Sequence, residues 1–216
     1  MKQVPYRLAE ALEEICKQKT LENITVSEIA SKAGVTRQVF YHHFVDKFEL
    51  ASWIHYVHLY RSVRKALEED PNQMWRLATR YWMEQMQKNK EFYTNAFQSV
   101  SQKEFQRIIR EFFFGAYQWQ LEHRAKRPIT EEEEFALRLF LFGGMEKIYE
   151  WVAKGMNTPI ERMITLLELS MPERISNWIL SGEDVPYADA LNKMMEYLEQ
   201  SGLLAKENGF FEKFVN

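Results

Sequence analysis

Arg37, Gln38 and Val39 stand in a row at the head of the segment Arg37-Gln38-Val39-Phe40-Tyr41-His42-His43. A guanidinium can donate two bonds to guanine O6 and N7. A carboxamide can pair bidentately with adenine, and a branched apolar side chain can touch a thymine methyl. Tyr41 and His42 are placed for backbone phosphates, and Lys47 adds a cation beside a helix start that itself favours anions. Thr25, Ser27 and Thr36 bring hydroxyls to the same region. The chemistry of this set is recognition of a duplex by its base edges and its phosphates.

Such side chains work only if short helices hold them on one face. Thr25-Val26-Ser27-Glu28 is a capping box, which predicts a helix over about 26–33 that buries Ile29, Ala30 and Ala33. Gly34 suits the position just past a helix end. Thr36 offers a second N-cap for a helix of about 37–43. Phe40 and Phe44, at i and i+4, face its core side, so Arg37, Gln38, Val39, Tyr41 and His42 remain outside. Two short helices around a glycine-containing turn are the helix-turn-helix layout, whose second helix enters the major groove. Leu8, Leu12 and Ile15 mark a preceding helix over about 5–19, and Asp46-Lys47-Phe48-Glu49 caps a long one that reaches about residue 68.

The segment from Thr25 to Leu50 resembles the DNA-binding domain of TetR-family transcriptional regulators. Thr25, Val26, Ile29, Ala30, Ala33, Gly34, Val35, Thr36, Phe40, Tyr41, Phe44, Lys47 and Leu50 are in step with that family's pattern. Val39 and His43 depart from it, which bears on the operator read. Arg37-Gln38 with Phe40-Tyr41, Leu50-Ala51-Ser52-Trp53-Ile54 and Lys90-Glu91-Phe92-Tyr93 are similar to a Firmicutes subgroup that includes dihydroxyacetone-kinase activators. The resemblance implies a homodimer on a palindromic DNA operator, with two recognition helices roughly 34 Å apart. It implies a repressor released by a small-molecule effector, the alternative being an activator controlled by a partner protein. By the same resemblance, residues 130–180 form the dimer interface, with Leu137, Leu141, Met145, Ile148, Trp151, Ile164 and Leu167 as its apolar residues. The competing reading of each is intramolecular core.

Beyond residue 70 the pattern stays helical, with segments at about 73–88, 91–98, 101–125, 130–154, 159–171, 173–180 and 187–200. Thr130-Glu131-Glu132-Glu133 is another capping box. Pro159 is expected in a first turn, and Pro172 is expected to end or kink its helix. Gly143-Gly144 costs helix propensity and permits close approach of another helix. The fold class is all-α: about ten helices, an N-terminal three-helix helix-turn-helix DNA-binding domain over 1–50, and a helical ligand-binding and dimerisation domain over 51–216. A C-terminal extension begins near 186.

The middle of the chain is rich in aromatic residues. Trp82, Phe97, Phe113, Tyr117 and Tyr149 are candidates to line a ligand pocket between helices, with Gln118, His123 and Glu146 as polar orienters. Simple core filling competes for each. His55 and His58 share a helix face at i, i+3, but they lack a third ligand, and they read as ordinary, partly exposed helix residues rather than a metal site. No histidine has Glu three residues before it, which argues against a di-iron bundle. Nucleotide-binding glycine motifs and a nucleophile elbow are missing, so neither a cofactor nor an enzymatic reaction is expected. Cys16 is the single cysteine and reads as a small packing residue.

Composition sets the outer limits. The chain has 216 residues, of which 8 are glycine and 6 proline, about half of average usage. Few turn formers mean few, long elements, which argues against a sandwich, a barrel or a disordered chain. No stretch longer than eleven residues lacks Asp, Glu, Lys and Arg, so no membrane span is expected. With no signal-peptide pattern, a cytoplasmic location is expected. The formal charge of -3 is an average. Residues 1–47 hold seven Lys/Arg against six Asp/Glu, so the DNA-binding end is slightly positive and the rest acidic. Specificity there must come from geometry more than from bulk charge. A helical ligand-binding or interaction module without operator binding is the competing function.

Overall fold

A computed structural model describes residues 3–98 and 102–180. Ten α-helices and two single 3-10 turns follow one another, with no strand among the described residues. The helices are α1 (Val4–Cys16), α2 (Val26–Lys32), α3 (Arg37–His43), α4 (Lys47–Glu69) and α5 (Met74–Lys88), followed by α6 (Lys90–Gln98), α7 (Gln102–Ala125), α8 (Glu131–Ala153), α9 (Ile160–Leu169) and α10 (Glu173–Leu180). The expected helix over 187–200 and the extension beyond 186 lie outside the described residues.

Local sequence explains most of the boundaries. Thr25 and Thr130 each close a full capping box, with Glu28 and Glu133 as the reciprocal carboxylates. Asp46 caps α4 by accepting from Phe48 N and Glu49 N, both at 2.8 Å. Gly34 ends α2 at φ +66°, a left-handed conformation in which a Cβ is strained. Val35 N donates to Ala30 O at 2.9 Å and Gly34 N to Ser31 O at 3.0 Å, the paired bonds of a Schellman motif.

Three expectations about helix ends need correction. Helix α1 stops at Cys16, not 19, because Gln18 N and Lys19 N both return to Ile15 O and close the last turn. Pro159 is the N-cap of α9 rather than a member of its first turn. Pro172 neither ends nor kinks a helix: α9 has already stopped at Leu169, and Pro172 immediately precedes α10.

Helices α1 to α3 pack around the first turns of α4. Leu8, Leu12, Ile29, Phe40, Phe44, Leu50 and Trp53 are fully buried there. Trp53 meets Tyr6 and Phe44 edge-to-face, with centroids at 5.0 and 5.8 Å. Helix α4 carries one continuous apolar core from this end into the body. There it packs along α5, while α7, α8, α9 and α10 complete the bundle. Helix α6 touches α1 as well as α7 and α8 and so joins head and body.

Candidate nucleic-acid interface

The α2–α3 pair presents the expected face. Arg37, Gln38 and His42 are exposed, Val39 is half-buried and Tyr41 is 48% exposed, whereas Phe40 and Phe44 on the opposite side are fully buried. The guanidinium of Arg37 lies 5.9 Å from the centroid of the Tyr41 ring, a contact that narrows the freedom of both side chains. Thr36 Oγ1 accepts from Val39 N at 3.3 Å, so the cap uses the oxygen and leaves the hydroxyl hydrogen to donate.

Thr25 and Ser27 are both on the surface of the motif, but they differ as donors. The Thr25 hydroxyl donates to Glu28 Oε2 at 2.9 Å, and the same carboxylate takes Thr25 N at 2.8 Å. Lys19 also bonds to Glu28. The ammonium of Lys19, then the Thr25 bonds, hold the Glu28 carboxyl down at about 2. The Thr25 hydroxyl proton is thus committed to the cap, and Ser27 is the freer donor of the two.

Lys47 is also committed internally. Its Nζ donates to Glu22 O at 2.6 Å and to Ile24 O at 2.7 Å. The expectation of a phosphate cation misses this: the ammonium ties the loop before α2 to the start of α4. Arg7 does a similar job that sequence reasoning overlooked. Its Nη2 donates to Ala33 O and, at 3.1 Å, to Gly34 O, clamping the helix-turn-helix turn from α1. Both staples join residues far apart in the chain, and periodicity carries no trace of such pairs. For Lys47→Met, loss of two charge-assisted bonds to carbonyls is expected to cost about 1.5–3 kcal/mol. Urea denaturation checks this; an unchanged midpoint with weakened DNA binding would make phosphate contact the main role.

A second polar cluster joins this head to the body. His58 on α4 bonds through Nδ1 to the Tyr93 hydroxyl of α6 at 3.0 Å, and its Nε2 lies 3.5 Å from Glu13 Oε1 of α1. Asn95 of α6 donates to Cys16 O at 3.0 Å and to Lys19 O at 3.3 Å at the end of α1. The expectation of partly exposed histidines is overturned: His55 and His58 are 0% and 7% exposed. Helix α4 is enclosed on every side from Leu50 to Leu59, which a two-histidine spacing does not reveal. Burial holds both imidazoles neutral, His55 down to about 3 and His58 to about 4. Burial, reinforced by Glu10, lifts Glu13 to about 7. No group of three or more metal-ligating residues occurs among the described residues. Cys16 is buried, and desolvation pushes its thiol up to about 12, in line with a packing role.

The body holds an apolar cavity of about 120 Å³ among α4, α5, α7, α8 and Leu167 of α9. Of the candidate pocket residues, Trp82, Phe113 and Tyr117 line it, and Phe97, Gln118, His123, Glu146 and Tyr149 are not among its lining residues. Gln118 instead donates to Glu122 at 3.0 Å, His123 stacks on Trp119 and Phe97 packs on Tyr149, while Glu146 is exposed. Two polar lining residues were missed, Thr79 and Gln120. Gln120 stands two positions after Gln118, and that step turns a helical side chain by about 200°, onto a different face.

The residues expected at the dimer interface are also placed differently. Leu137, Leu141, Met145, Ile148, Trp151, Ile164 and Leu167 are all buried within the single chain. Leu141, Met145, Ile148 and Leu167 form cavity wall. Trp151 Nε1 donates to Thr158 O at 2.8 Å and closes the α8–α9 turn. A Cβ on Gly144 would meet Leu167 at 3.3 Å, so this glycine serves internal packing, whereas Gly143 faces open space. The apolar side chains left outside are others: Phe135 at 70%, Leu139 at 65% and Leu169 at 76% exposure.

A head that exposes α3, stapled to a helical body with an apolar cavity, defines a helix-turn-helix DNA-binding regulator. Residues 8–52 match the family model described as bacterial regulatory proteins, tetR family, and residues 73–172 match one described as a transcriptional regulator C-terminal region. The chain belongs to the TetR family of transcriptional regulators. It is similar in fold to a solved structure named dihydroxyacetone kinase operon activator DhaS, with a TM-score of 0.54 and 19% identity over 78% of this chain and 96% of that one. No curated protein matches the sequence. No helix among the described residues is long and apolar enough to cross a membrane.

Proposed function

We propose that the protein is a homodimeric, cytoplasmic repressor that binds a palindromic operator through α3 and leaves it when a small molecule enters the body. The observation that carries the DNA-binding part is the division of α3. Its apolar side is locked by Phe40 and Phe44 at 0% exposure, and Arg37, Gln38, Tyr41 and His42 stand outside. Arg37 and Gln38 are the base readers, with Val39 touching a methyl. Thr36, Ser27, Tyr41 and His42 hold phosphates, with Thr25 and Lys47 acting mainly as structural supports of that surface. The protein works by binding alone, without a chemical step.

The effector part is supported by the cavity and by its walls. Leu59 and Val63 of α4 form one side of it, and α4 begins at Lys47, soon after the recognition helix ends. A ligand that binds better to the off-DNA geometry weakens operator affinity by the same factor by which DNA weakens ligand affinity.

A mobility shift with the DNA flanking the protein's own gene tests the reading. A salt-dependent, sequence-specific complex is expected. Arg37→Ala is expected to cost about 1–3 kcal/mol at that site and to relax preference at one base position. Equal affinity of the wild type for unrelated DNA would favour the interaction-module alternative. A reporter fused to the same promoter reads the sign, with higher expression expected on deletion of the regulator gene.

A further inference from the structure

The cavity in the body has a wall composition that narrows what it can hold. None of its lining residues carries a charge at neutral pH. An ion brought inside would lose its hydration with no counter-charge to offset the loss. Its polar groups are few. The hydroxyl of Thr79 is spent on Trp75 O at 2.7 Å. Gln120, 5% exposed, has a buried amide nitrogen without a hydrogen-bond partner, and Trp82, 3% exposed, has an indole N–H in the same condition. Both residues line the cavity, and both orphan groups are donors.

Size narrows the choice further. An engineered cavity of about 150 Å³ lined by Leu, Ile and Phe stays dry and binds benzene, so the 120 Å³ here corresponds to about one ring. Water fits poorly. A buried water needs about three polar partners, and the mostly apolar lining offers few.

We propose that this cavity binds a neutral, largely apolar molecule about one aromatic ring in size that presents a hydrogen-bond acceptor such as a carbonyl oxygen. Gln120 on α7 supplies the selecting donor, with the Trp82 N–H of α5 as a second. The apolar walls supply affinity, and the two donors separate an acceptor-bearing ring from a plain hydrocarbon. A lining without charge rejects carboxylates of the same shape. This rests on the reading of the cavity as an effector site. Binding is measured on the free protein, so that a failure of DNA regulation is seen separately.

Acetophenone, ethylbenzene and benzoate, matched in size, are titrated calorimetrically into the full-length protein without DNA. Acetophenone is expected to bind at least ten-fold more tightly than ethylbenzene, and benzoate at least a hundred-fold more weakly than acetophenone. Gln120→Leu removes the donor at similar volume and is expected to bring acetophenone and ethylbenzene within about three-fold of each other. If that variant does not fold, Trp82→Phe is expected to shrink the same preference. Equal binding of acetophenone and ethylbenzene by the wild type, binding of benzoate as tight as acetophenone, or no binding of any probe overturns the proposal. Acetophenone binding as expected, with operator affinity unchanged by it, supports the ligand class and overturns only the effector reading.

Discussion

Replacing Leu139 with glutamate is expected to turn the proposed dimer into a monomer and to weaken operator binding roughly a hundred-fold or more. Phe135 and Leu139 are one helical turn apart on α8, and both are mostly exposed, as is Leu169 at the end of α9. A groove beside them is lined by Glu131, Glu132, Phe135, Ala136 and Leu139 on one side and by Pro172, Glu173, Arg174 and Asn177 on the other. Exposed apolar surface of this kind marks an interaction site. Gly143, one further turn beyond Leu139, faces open space and leaves room for another helix. In a two-fold dimer this patch meets its own copy, so one substitution places two buried carboxylates near the axis. Two tethered heads gain effective concentration worth about 10²–10⁴ in affinity, and a monomer forfeits it.

The choice of position decides what such an experiment reports. Leu141 is one of the residues that the TetR resemblance put at the interface, yet it is cavity wall. A charge there would break the core and mimic dimer loss by unfolding. Leu139 is 65% exposed, and surface changes away from special features stay within about 0.5 kcal/mol. Analytical ultracentrifugation gives the mass and thermal denaturation gives the fold. A stable Leu139→Glu protein that is still dimeric would place the interface elsewhere.

The second large effect concerns the opposed titrations of the neighbours Glu13 and His58. Unfolded, a glutamate titrates near 4.5 and a histidine near 6.5. Folded, burial raises Glu13 to about 7 and lowers His58 to about 4, with Arg61 opposing the first shift and adding to the second. Lys17 also opposes the rise of Glu13, and Glu10 adds to it. For Glu13 alone, the folded state binds the proton more tightly, so stability falls as pH rises from about 4.5 to about 7. For His58 alone, the unfolded state binds it more tightly, so stability falls as pH drops from about 6.5 to about 4. The two slopes oppose each other. As a pair they hold one proton from about 4 to 7 when folded and from about 4.5 to 6.5 when unfolded. Titrations of such neighbours belong to the pair.

The wild type is therefore expected to show little net pH dependence from this site across that window. Each single substitution exposes the other partner. Glu13→Gln leaves His58, and its stability is expected to drop by up to about 3 kcal/mol between pH 6.5 and 4 relative to wild type. His58→Gln leaves Glu13, and its stability is expected to drop by a similar amount between pH 4.5 and 7. Urea midpoints measured at several pH values check both. Parallel pH profiles for the two variants would contradict the assignment. Because Glu13, His58 and Tyr93 come from α1, α4 and α6, the pair also sits where the head meets the body.

The exposed face of α3 was legible in the sequence because everything that builds it is local. Thr25 with Glu28, the glycine after α2, Thr36 and the Phe40/Phe44 spacing each act within a few residues. Helix phase then dictates which side chains stay outside. The body was legible as helices but not as faces. Apolar residues run around α8, so its sequence does not say which of them face the core and which a second copy. The chain's own neighbours decide that: Leu141 and Leu167 point inward, and Phe135, Leu139 and Leu169 remain outside.

Long-range polar pairing was invisible for a related reason. Arg7 at the turn of the motif, Lys47 on the carbonyls of Glu22 and Ile24, and Glu13 beside His58 and Tyr93 depend on where separate helices cross. By itself the sequence determined the class of protein, the order of its helices and the side of α3 that stays clear of the core, since caps and periodicity act through short-range hydrogen bonds and helix geometry. The tertiary structure alone decided which apolar stripe is core, which glutamine faces the cavity and which charged groups are spent on holding the head together, since burial and pairing belong to surfaces that exist only once the helices pack.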